Sequence, residues 1–437
     1  MWGDLPRDVQ ELIKDVSNLA DENSVPLYLV GGFVRDVLLR FRHYDLDFVV
    51  EGDGIAFTYL LVETFGGSLQ THRDFGTAIW FPGSDETARV PFVDIVTARR
   101  ESYPQPGALP VVIPSTIEDD LRRRDFTINA MAVQLAPLPG GKLIDPLYGQ
   151  RDLEDKIVRV LHDSSFMDDA TRIFRAARYA QRYDFHLDTH TESLIPAALP
   201  ALATISGERL RTELDRILSE PLNTPNAVLR QLERWNVLNQ KSIGLEFDEW
   251  PQINWTELGH LTVRKGTDRP TPFGQAVQEI RLARCEVSWI ILACRVKDVE
   301  ALGSRLALPA TLTALIQEGQ RLIGLLPALD RPLKPSAVVK LLERRGPAPV
   351  QAVEAAYWVA GQEREQARQH LSNYSTTWRD VRPTLTGDDL KARGLKPGPA
   401  FRDILWALRQ AYLDGEISTP EQERALLDRL FGEESQS

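Results

Sequence analysis

The chain has 437 residues, of which 43% are hydrophobic and 26% are charged, and this predicts a globular protein of two to four domains. No stretch approaches the roughly 18 consecutive apolar residues of a membrane span, and the acidic N-terminus lacks the pattern of a signal peptide, so we expect a cytoplasmic protein. The net charge of −11 argues weakly against a nucleic-acid partner, unless basic residues gather locally.

The first 150 residues alternate between strand and helix patterns. Apolar residues at helical spacing predict a first helix over residues 8–20. The next predicted elements are strands within residues 25–30, 46–50, 69–82 and 90–98, helices over residues 32–40 and 57–66, and a turn at 83–88. This alternation predicts a sheet flanked by helices.

The character of the chain changes after this region. Residues 103–114 are rich in Pro and Gly and are predicted to form a loop, and residues 132–137 and 142–147 are predicted to pair as a hairpin. From about residue 151 helical periodicity dominates almost to the end, with loops near 240–275 and 328–336. We therefore predict the α+β class, with a mixed head followed by an all-helical remainder.

Two carboxylates stand in the strand pattern "YDLDFVV". Alternate side chains of a strand share a face, so Asp45 and Asp47 point the same way, and Asp94 belongs to a second apolar strand. Adjacent carboxylates repel each other unless a cation lies between them, and oxygen ligands favour Mg²⁺. The alternative is a solvated surface strand. The apolar surroundings of Asp47 and the matching Asp94 strand favour a two-metal site.

A glycine turn precedes these carboxylates. In "GGFVRD" a strand ends and a helix begins, so Gly31 and Gly32 could let the backbone approach a phosphate, with Arg35 in the first helical turn. The plain alternative is a tight turn. The pattern is neither a Walker A motif nor a dinucleotide-binding motif.

A basic segment follows near residue 172. Arg172, Arg175, Arg178 and Arg182 fall at steps of three, three and four, which places them on one face of a helix. One explanation is a solvated basic face with salt bridges, and the other is triphosphate binding.

Several motifs occur in a fixed order along the chain: "LVGGFVRD", "YDLDFVV", "RRRDFTINAMAV", "IDPLYGQRDL", "DDATRIFRAARYAQR" and "GERLRTELDRIL". Together they resemble the class II tRNA nucleotidyltransferases, a family that includes the CCA-adding enzymes and bacterial poly(A) polymerases. The resemblance implies a seahorse-shaped protein with a polymerase-β-like head. It implies a nucleotidyltransferase head over residues 1–150, a neck over 151–220, a body over 221–333 and a tRNA-binding tail over 334–437.

The resemblance also assigns residues. It implies that Asp45 and Asp47 bind two Mg²⁺ ions and that Gly32 and Arg35 contact the incoming ATP or CTP. An arginine of the motif, Arg124 in preference to Arg123, would contact the nucleotide, while Asp125 and Asn129 would line the sugar side. Asp169 and Arg172 would read the base, and Arg175 and Arg178 would bind the triphosphate. The first acid of this motif is commonly Glu in the family and its third position commonly Pro, whereas this chain has Asp168 and Ala170.

An Asp–Arg pair can select a base without a template. Cytosine and adenine both present an amino donor beside a ring-nitrogen acceptor, whereas a carboxylate only accepts and an arginine only donates. Uracil and guanine reverse both groups, so Asp169 and Arg172 would reject them. The partner would be the 3′ end and acceptor arm of a tRNA.

Three products stay open: CCA, CC alone or A alone. Residues 97–121 resemble the A-adding members more than the full CCA-adding enzymes. The alternatives are a poly(A) polymerase and a small-molecule nucleotidyltransferase, although the second would not need the motifs around Arg124 and Arg172.

Overall fold

The computed structural model describes residues 5–41, 45–83, 90–102, 111–220, 224–245, 284–344, 346–394 and 398–434. Two compact units are present. The first holds the described residues up to 245 together with 305–307, and the second holds those within 282–304 and 308–437. The division into four domains stays a prediction.

The first unit is built on a mixed seven-stranded sheet. Its strands are β1 (Leu27–Val30), β2 (Leu46–Val50), β3 (Ser68–His72), β4 (Thr77–Phe81), β5 (Val93–Thr97), β8 (Ala132–Ala136) and β9 (Leu143–Ile144), in the order β3-β4-β5-β2-β1-β8-β9. β2 and β5 run parallel, while the other neighbours are antiparallel. β6 (Arg99–Ser102) and β7 (Val111–Pro114) pair separately, as do the short β10 (Ile157–Val158) and β11 (His186–Leu187).

Eleven α-helices of this unit have both ends within the described residues. They are α1 (Arg7–Glu22), α2 (Gly32–Leu38), α3 (Gly54–Phe65), α4 (Ile117–Arg122), α5 (Gly149–Glu154), α6 (Ser165–Asp168), α7 (Thr171–Tyr183), α8 (Thr189–Ser193), α9 (Ile195–Ala198), α10 (Gly207–Leu218) and α11 (Thr224–Arg234). Short 3₁₀ turns occur at Arg73–Phe75, Thr127–Asn129 and Leu199–Thr204.

The central strands are apolar because both faces of the sheet are covered. All four residues of β1 are buried, as are Leu46, Phe48 and Val50 on one face of β2. On the other face Val49 packs with Tyr28 of β1 and with Ile117 and Leu121 of α4. Asp47 shares this second face with Val49, and its carboxylate is largely withdrawn from bulk solvent.

The second unit is helical. After helical residues 284–293 come the helices Val299–Arg305, Ala310–Gly324, Leu326–Leu329, Pro335–Leu342, Val350–Ala360, Glu365–Thr376, Gly387–Ala392, Pro399–Leu413 and Pro420–Glu434, with a 3₁₀ turn at Trp378–Asp380. Leu390, Ile404, Leu408 and Leu427 form one of its buried clusters. No helix among the described residues is long and apolar enough to cross a membrane.

The α+β prediction is confirmed, and the predicted helices and strands of the first 100 residues are present. The loop predicted over 103–114 is wrong at its end, because residues 111–114 form β7 and pair with β6. Asp45 lies immediately before β2 rather than inside it. The predicted turn at 83–88 and the loop near 240–275 lie largely outside the described residues.

Candidate active site

The two predicted carboxylate strands are direct neighbours. In the parallel register of β2 and β5, Asp47 is opposite Asp94, and Asp45 precedes Leu46, which is opposite Val93. Alternation along each strand then directs the Asp47 and Asp94 side chains to one face of the sheet. The connection through α3 and the β3–β4 hairpin brings together residues that are far apart in sequence.

The carboxylates disturb each other electrostatically. Burial raises the pKa of Asp47 to about 7, and the negative charges of Asp94 and Asp45 add to this, whereas the positive charges of Arg124 and Arg35 oppose it. Burial and the charge of Asp45 also raise the pKa of Asp94. A group of hard oxygen ligands with excess negative charge fits a divalent cation such as Mg²⁺.

The structure separates the three acids by position. Asp45 and Asp47 line a cleft of about 510 Å³, and Asp94 is not among its lining residues. Across the described ranges, no three His, Cys, Asp or Glu side chains are already gathered as a metal-binding group. A role for Asp94 as a third metal ligand therefore stays a prediction.

The glycine turn lies beside these acids and is covered by an arginine. Gly31 precedes α2 with a φ of +64°, and a Cβ at this position would be 2.6 Å from Nη1 of Arg124. Arg124 also donates to Asp120 at 2.9 Å, and its buried Nε has no hydrogen-bond partner. Gly31 therefore permits a close approach that a side chain would obstruct.

Arg35 is predicted to contact the nucleotide, and the structure shows how it is held. It is buried in the cleft wall, donates to Asp36 at 2.8 Å and also donates to Asn129. Its guanidinium lies 5.1 Å from the ring centre of Tyr179 and 4.7 Å from that of Tyr183. These contacts fix the orientation of the guanidinium.

The "RRDFTINA" motif forms a connected network. Asn129 donates to Asp125 at 3.0 Å, and Asp125 pairs with Arg175 of α7 at 2.7 Å. The pKa of Asp125 is lowered because Arg175 and the hydrogen bond from Asn129 outweigh the effect of burial. The predicted sugar-side residues are thus linked to the predicted triphosphate residues.

Arg123 and Arg124 have different environments. Arg123 binds Asp120 at 2.6 Å and Glu101 at 2.9 Å, so two carboxylates hold it. Arg124 pairs with the same Asp120 at 2.9 Å, its positive charge also acts on Asp47, and it lies over the glycine turn. Both line the cleft. The difference supports the preference for Arg124 as the nucleotide contact.

The predicted base-reading residues lie where α6 meets α7. One oxygen of Asp169, Oδ1, accepts from the backbone N–H of Thr171 at 3.0 Å, from the Thr171 hydroxyl at 2.6 Å and from Arg209 at 2.8 Å. Arg172 is buried and donates to the backbone carbonyl of Arg123 at 3.1 Å. Among the described residues, these three donors all use Oδ1 rather than Oδ2.

The arginines of α7 do not form a solvated basic face. Arg172 and Arg178 are 5% and 8% exposed, so their charges need partners within the protein. Arg178 and Arg182 both donate to Glu220, and Arg175 pairs with Asp125. The opposite face, which includes Ile173, Ala176 and Ala177, is fully buried.

Every predicted nucleotide-binding residue lines the same cleft. Besides those residues and the two acids, the lining includes Phe33, Asp36, Glu101, Tyr179, Arg182 and Arg216. Eight arginines against six carboxylates give the cleft an excess of positive charge. A triphosphate has the complementary charge, and the cleft shows how an acidic chain can still concentrate positive charge locally.

Sequence reasoning missed several of these residues. Arg209 and Arg216 lie on α10 within the motif "GERLRTELDRIL", so their motif was seen but their roles were not assigned. Glu101 lies on β6, next to a segment that was expected to be a loop. Arg209 reaches Asp169 across a helix–helix contact, and no local pattern indicates this.

Family comparisons agree with this geometry. A model described as "Poly A polymerase head domain" matches residues 27–159, and one described as "Probable RNA and SrmB- binding site of polymerase A" matches residues 184–240. The first match contains the glycine turn, the acids and the "RRDFTINA" motif.

Curated relatives match almost the whole chain. An A-adding tRNA nucleotidyltransferase of Geobacter sulfurreducens is 33% identical over 98% of this chain and 47% of that protein, so the chain spans about half its length. The A-adding tRNA nucleotidyltransferase of Halalkalibacterium halodurans is 32% identical over 94% of this chain and 90% of that protein. The CC-adding tRNA nucleotidyltransferase of Deinococcus radiodurans is 31% identical over 99% and 96%.

Solved structures give the same answer. A CCA-adding enzyme in apo form II has a TM-score of 0.73 at 28% identity and covers 98% of this chain and 96% of that one. The Thermotoga maritima CCA-adding enzyme complexed with tRNA has a TM-score of 0.69 at 26% identity, covering 99% and 97%. A CCA-adding enzyme in complex with ATP has a TM-score of 0.69 at 28% identity, covering 98% and 94%.

Proposed function

Because the chain belongs to the tRNA nucleotidyltransferase family, we propose that it transfers nucleotides from ATP or CTP to the 3′ end of a tRNA. The observation that carries the proposal is the cleft itself. The cleft unites the carboxylates of Asp45 and Asp47 with a glycine turn, the Asp169–Arg172 pair and the arginines of α7. Each part matches one component of a nucleoside triphosphate.

In the reaction the 3′ hydroxyl of the tRNA loses its proton to solvent, and its oxygen forms a bond to the α-phosphorus of the nucleotide. The bond from that phosphorus to the oxygen bridging to the β-phosphate breaks, and pyrophosphate leaves with the bonding electrons. Asp45 and Asp47, with Asp94 on the neighbouring strand, are the residues that would hold Mg²⁺, which neutralises phosphate charge and makes a bound hydroxyl more acidic.

The protein's own residues position the triphosphate. Arg124, Arg175 and Arg178 point into the cleft and can donate to its oxygens, while the buried surroundings strengthen each interaction. Because Asp120, Asp125 and Glu220 already orient these guanidinium groups, little reorganisation is needed when the substrate binds.

Base selection follows from the Asp169 geometry. With Oδ1 fixed by Thr171 and Arg209, Oδ2 can accept the amino group of cytosine or adenine, and Arg172 can donate to the adjacent ring nitrogen. Uracil and guanine would place a carbonyl oxygen against the Asp169 carboxylate, so they would be rejected.

Among the three products, we favour addition of the terminal A. Residues 97–121 resemble A-adding members, and A-adding enzymes are among the relatives that match nearly the whole chain. CC addition is the second candidate, supported by a relative of similar identity. A poly(A) polymerase is disfavoured, because we would expect it to have a more basic C-terminal arm than this chain with its net charge of −11.

One experiment separates these products. The protein is incubated with Mg²⁺ and tRNAs that end before C74, at C74 or at C75, with CTP or ATP alone, and the product lengths are read. We expect one A on the tRNA that ends at C75 and no extension with CTP. Extension with CTP would replace A addition by CC or CCA addition, and a long A tail would indicate a poly(A) polymerase. Asp47→Ala serves as the inactive control.

A further inference from the structure

Glu220 lies just beyond α10 and connects to two arginines of α7. Its side chain is 5% exposed, and its Oε1 accepts from Nη1 of Arg178 at 3.3 Å and from Nη1 of Arg182 at 3.2 Å. Its backbone N–H donates to the carbonyl of Ile217 at 3.1 Å, which ties residue 220 to the end of the helix. A carboxylate held at the end of α10 therefore sets the orientation of two arginine side chains on α7.

The two arginines differ in depth but share the cleft wall. The Arg178 side chain is 10% exposed and the Arg182 side chain is 28% exposed, and both line the cleft. Each also lies near a ring of its own helix, Arg178 at 4.8 Å from the centre of Tyr179 and Arg182 at 5.5 Å from that of Tyr183. A carboxylate and a ring thus restrict each guanidinium.

Two guanidinium groups would separate by mutual repulsion if nothing held them. One shared carboxylate oxygen keeps both within hydrogen-bond distance and cancels one of their two charges. The pair keeps a net charge of one and several free N–H donors, because each arginine has five and Glu220 engages one nitrogen of each. Such a pair is suited to an anion with several oxygens on adjacent phosphates.

We propose that Glu220 is a positioning residue that holds Arg178 and Arg182 together as a receptor for the outer phosphates of the triphosphate and for the leaving pyrophosphate. The inference rests on the proposed function and extends it in two ways. It gives Arg182 a phosphate-binding role, and it assigns the triphosphate preference of the cleft to a residue that does not line the cleft.

The decisive variant is Glu220→Asp. It keeps the negative charge but shortens the side chain by one methylene, so it withdraws the shared oxygen without changing the net charge. ATP, AMP and pyrophosphate are titrated against the full chain at equilibrium. We expect ATP and pyrophosphate to bind about tenfold more weakly, as for the loss of a charge-assisted hydrogen bond, with AMP changed less than about twofold.

A matched control and a double mutant complete the test. Glu343→Asp shortens a similarly buried carboxylate that pairs with Arg409 in the second unit, and it should leave the ATP-to-AMP affinity ratio unchanged. In an Arg182→Ala background, Glu220→Asp should cost less than it does in the wild type, because one of the two positioned groups is gone.

Any one of three results with Glu220→Asp would overturn the proposal. They are wild-type affinity for pyrophosphate in Glu220→Asp, an equal loss for AMP and ATP, or fully additive effects with Arg182→Ala. A Glu220→Ala variant that binds pyrophosphate more tightly would show that Glu220 only supplies a counter-charge. The proposed function is tested separately, by extension of tRNA with wild-type protein, so either conclusion can fail alone.

Discussion

The guanidinium of Arg124 lies over the backbone of Gly31. A Cβ on residue 31 would be 2.6 Å from Nη1 of Arg124, and the φ of +64° is one that residues with side chains rarely adopt. Residue 31 thus carries two constraints, one on its own backbone and one on the arginine above it. The contact joins the glycine turn to the "RRDFTINA" motif, 93 residues later in the chain.

Gly31→Ala should violate both constraints, and comparison with a second glycine variant separates their effects. The backbone strain should lower the free energy of unfolding by about 1–3 kcal/mol, and displacement of Arg124 should lower kcat/KM for the nucleotide by about 10²-fold. Gly361→Ala is the control, because Gly361 has a φ of +62° and open space around it. It should show the loss of stability without the loss of activity. Equal activity in the two variants would contradict a role for the Arg124 contact.

Asp47→Asn should make the protein more stable at neutral pH while abolishing nucleotide transfer. The folded protein raises the pKa of this carboxyl from 3.8 to about 7, so the folded state holds the proton more tightly than the unfolded state does. The wild type therefore loses stability as the pH rises between about 4 and 7, whereas asparagine does not titrate.

Urea unfolding at pH 5 and pH 8 measures this difference. The advantage of Asp47→Asn should grow by about 1–3 kcal/mol between these two values. Added Mg²⁺ should reduce the advantage at pH 8, because a cation stabilises the ionised wild-type site. An Asp47→Asn protein that is less stable than the wild type at pH 8 would show that the carboxylates do not repel each other as described.

Arg172→Ala should loosen the choice among the four nucleotides. The alanine removes the donor to the ring nitrogen, so the ratio of kcat/KM for ATP to that for UTP or GTP should fall by about 10²-fold or more. Arg151→Ala, which removes an arginine whose side chain is 81% exposed, is the control. An unchanged ratio would remove Arg172 from base reading.

Arg209→Ala should disturb base selection without weakening pyrophosphate binding. Arg209 fixes Oδ1 of Asp169 at 2.8 Å, and without it the carboxylate keeps only its bonds to Thr171. Arg211→Ala is a matched control two residues along α10, because Arg211 donates to the backbone of Ala307 instead. The two variants are compared by their misincorporation of UTP and GTP and by their affinity for pyrophosphate. Equal fidelity in both variants would contradict the positioning role of Arg209.

The sequence alone indicated residues that the structure brings to one cleft, because its signals are local. Alternation within "YDLDFVV" indicates two carboxylates on one face, and the spacing of the α7 arginines indicates one helical face. The ordered motifs indicate the family, which the comparisons confirm, and the alternation of elements indicates the α+β fold, which is also confirmed. The first two patterns lie within one strand or a few turns of helix, where neighbouring residues determine the geometry.

Only the tertiary structure decided how these parts meet. Asp47 is opposite Asp94 because β2 and β5 are parallel neighbours, and Asp169 meets Arg209 because α10 packs near α7. Glu220 joins Arg178 to Arg182 for the same reason. These partners are between 38 and 47 residues apart, and their meeting depends on how strands and helices pack across the core. Periodicity within one element does not specify that packing, so the sequence indicated the groups and the fold determined their partners.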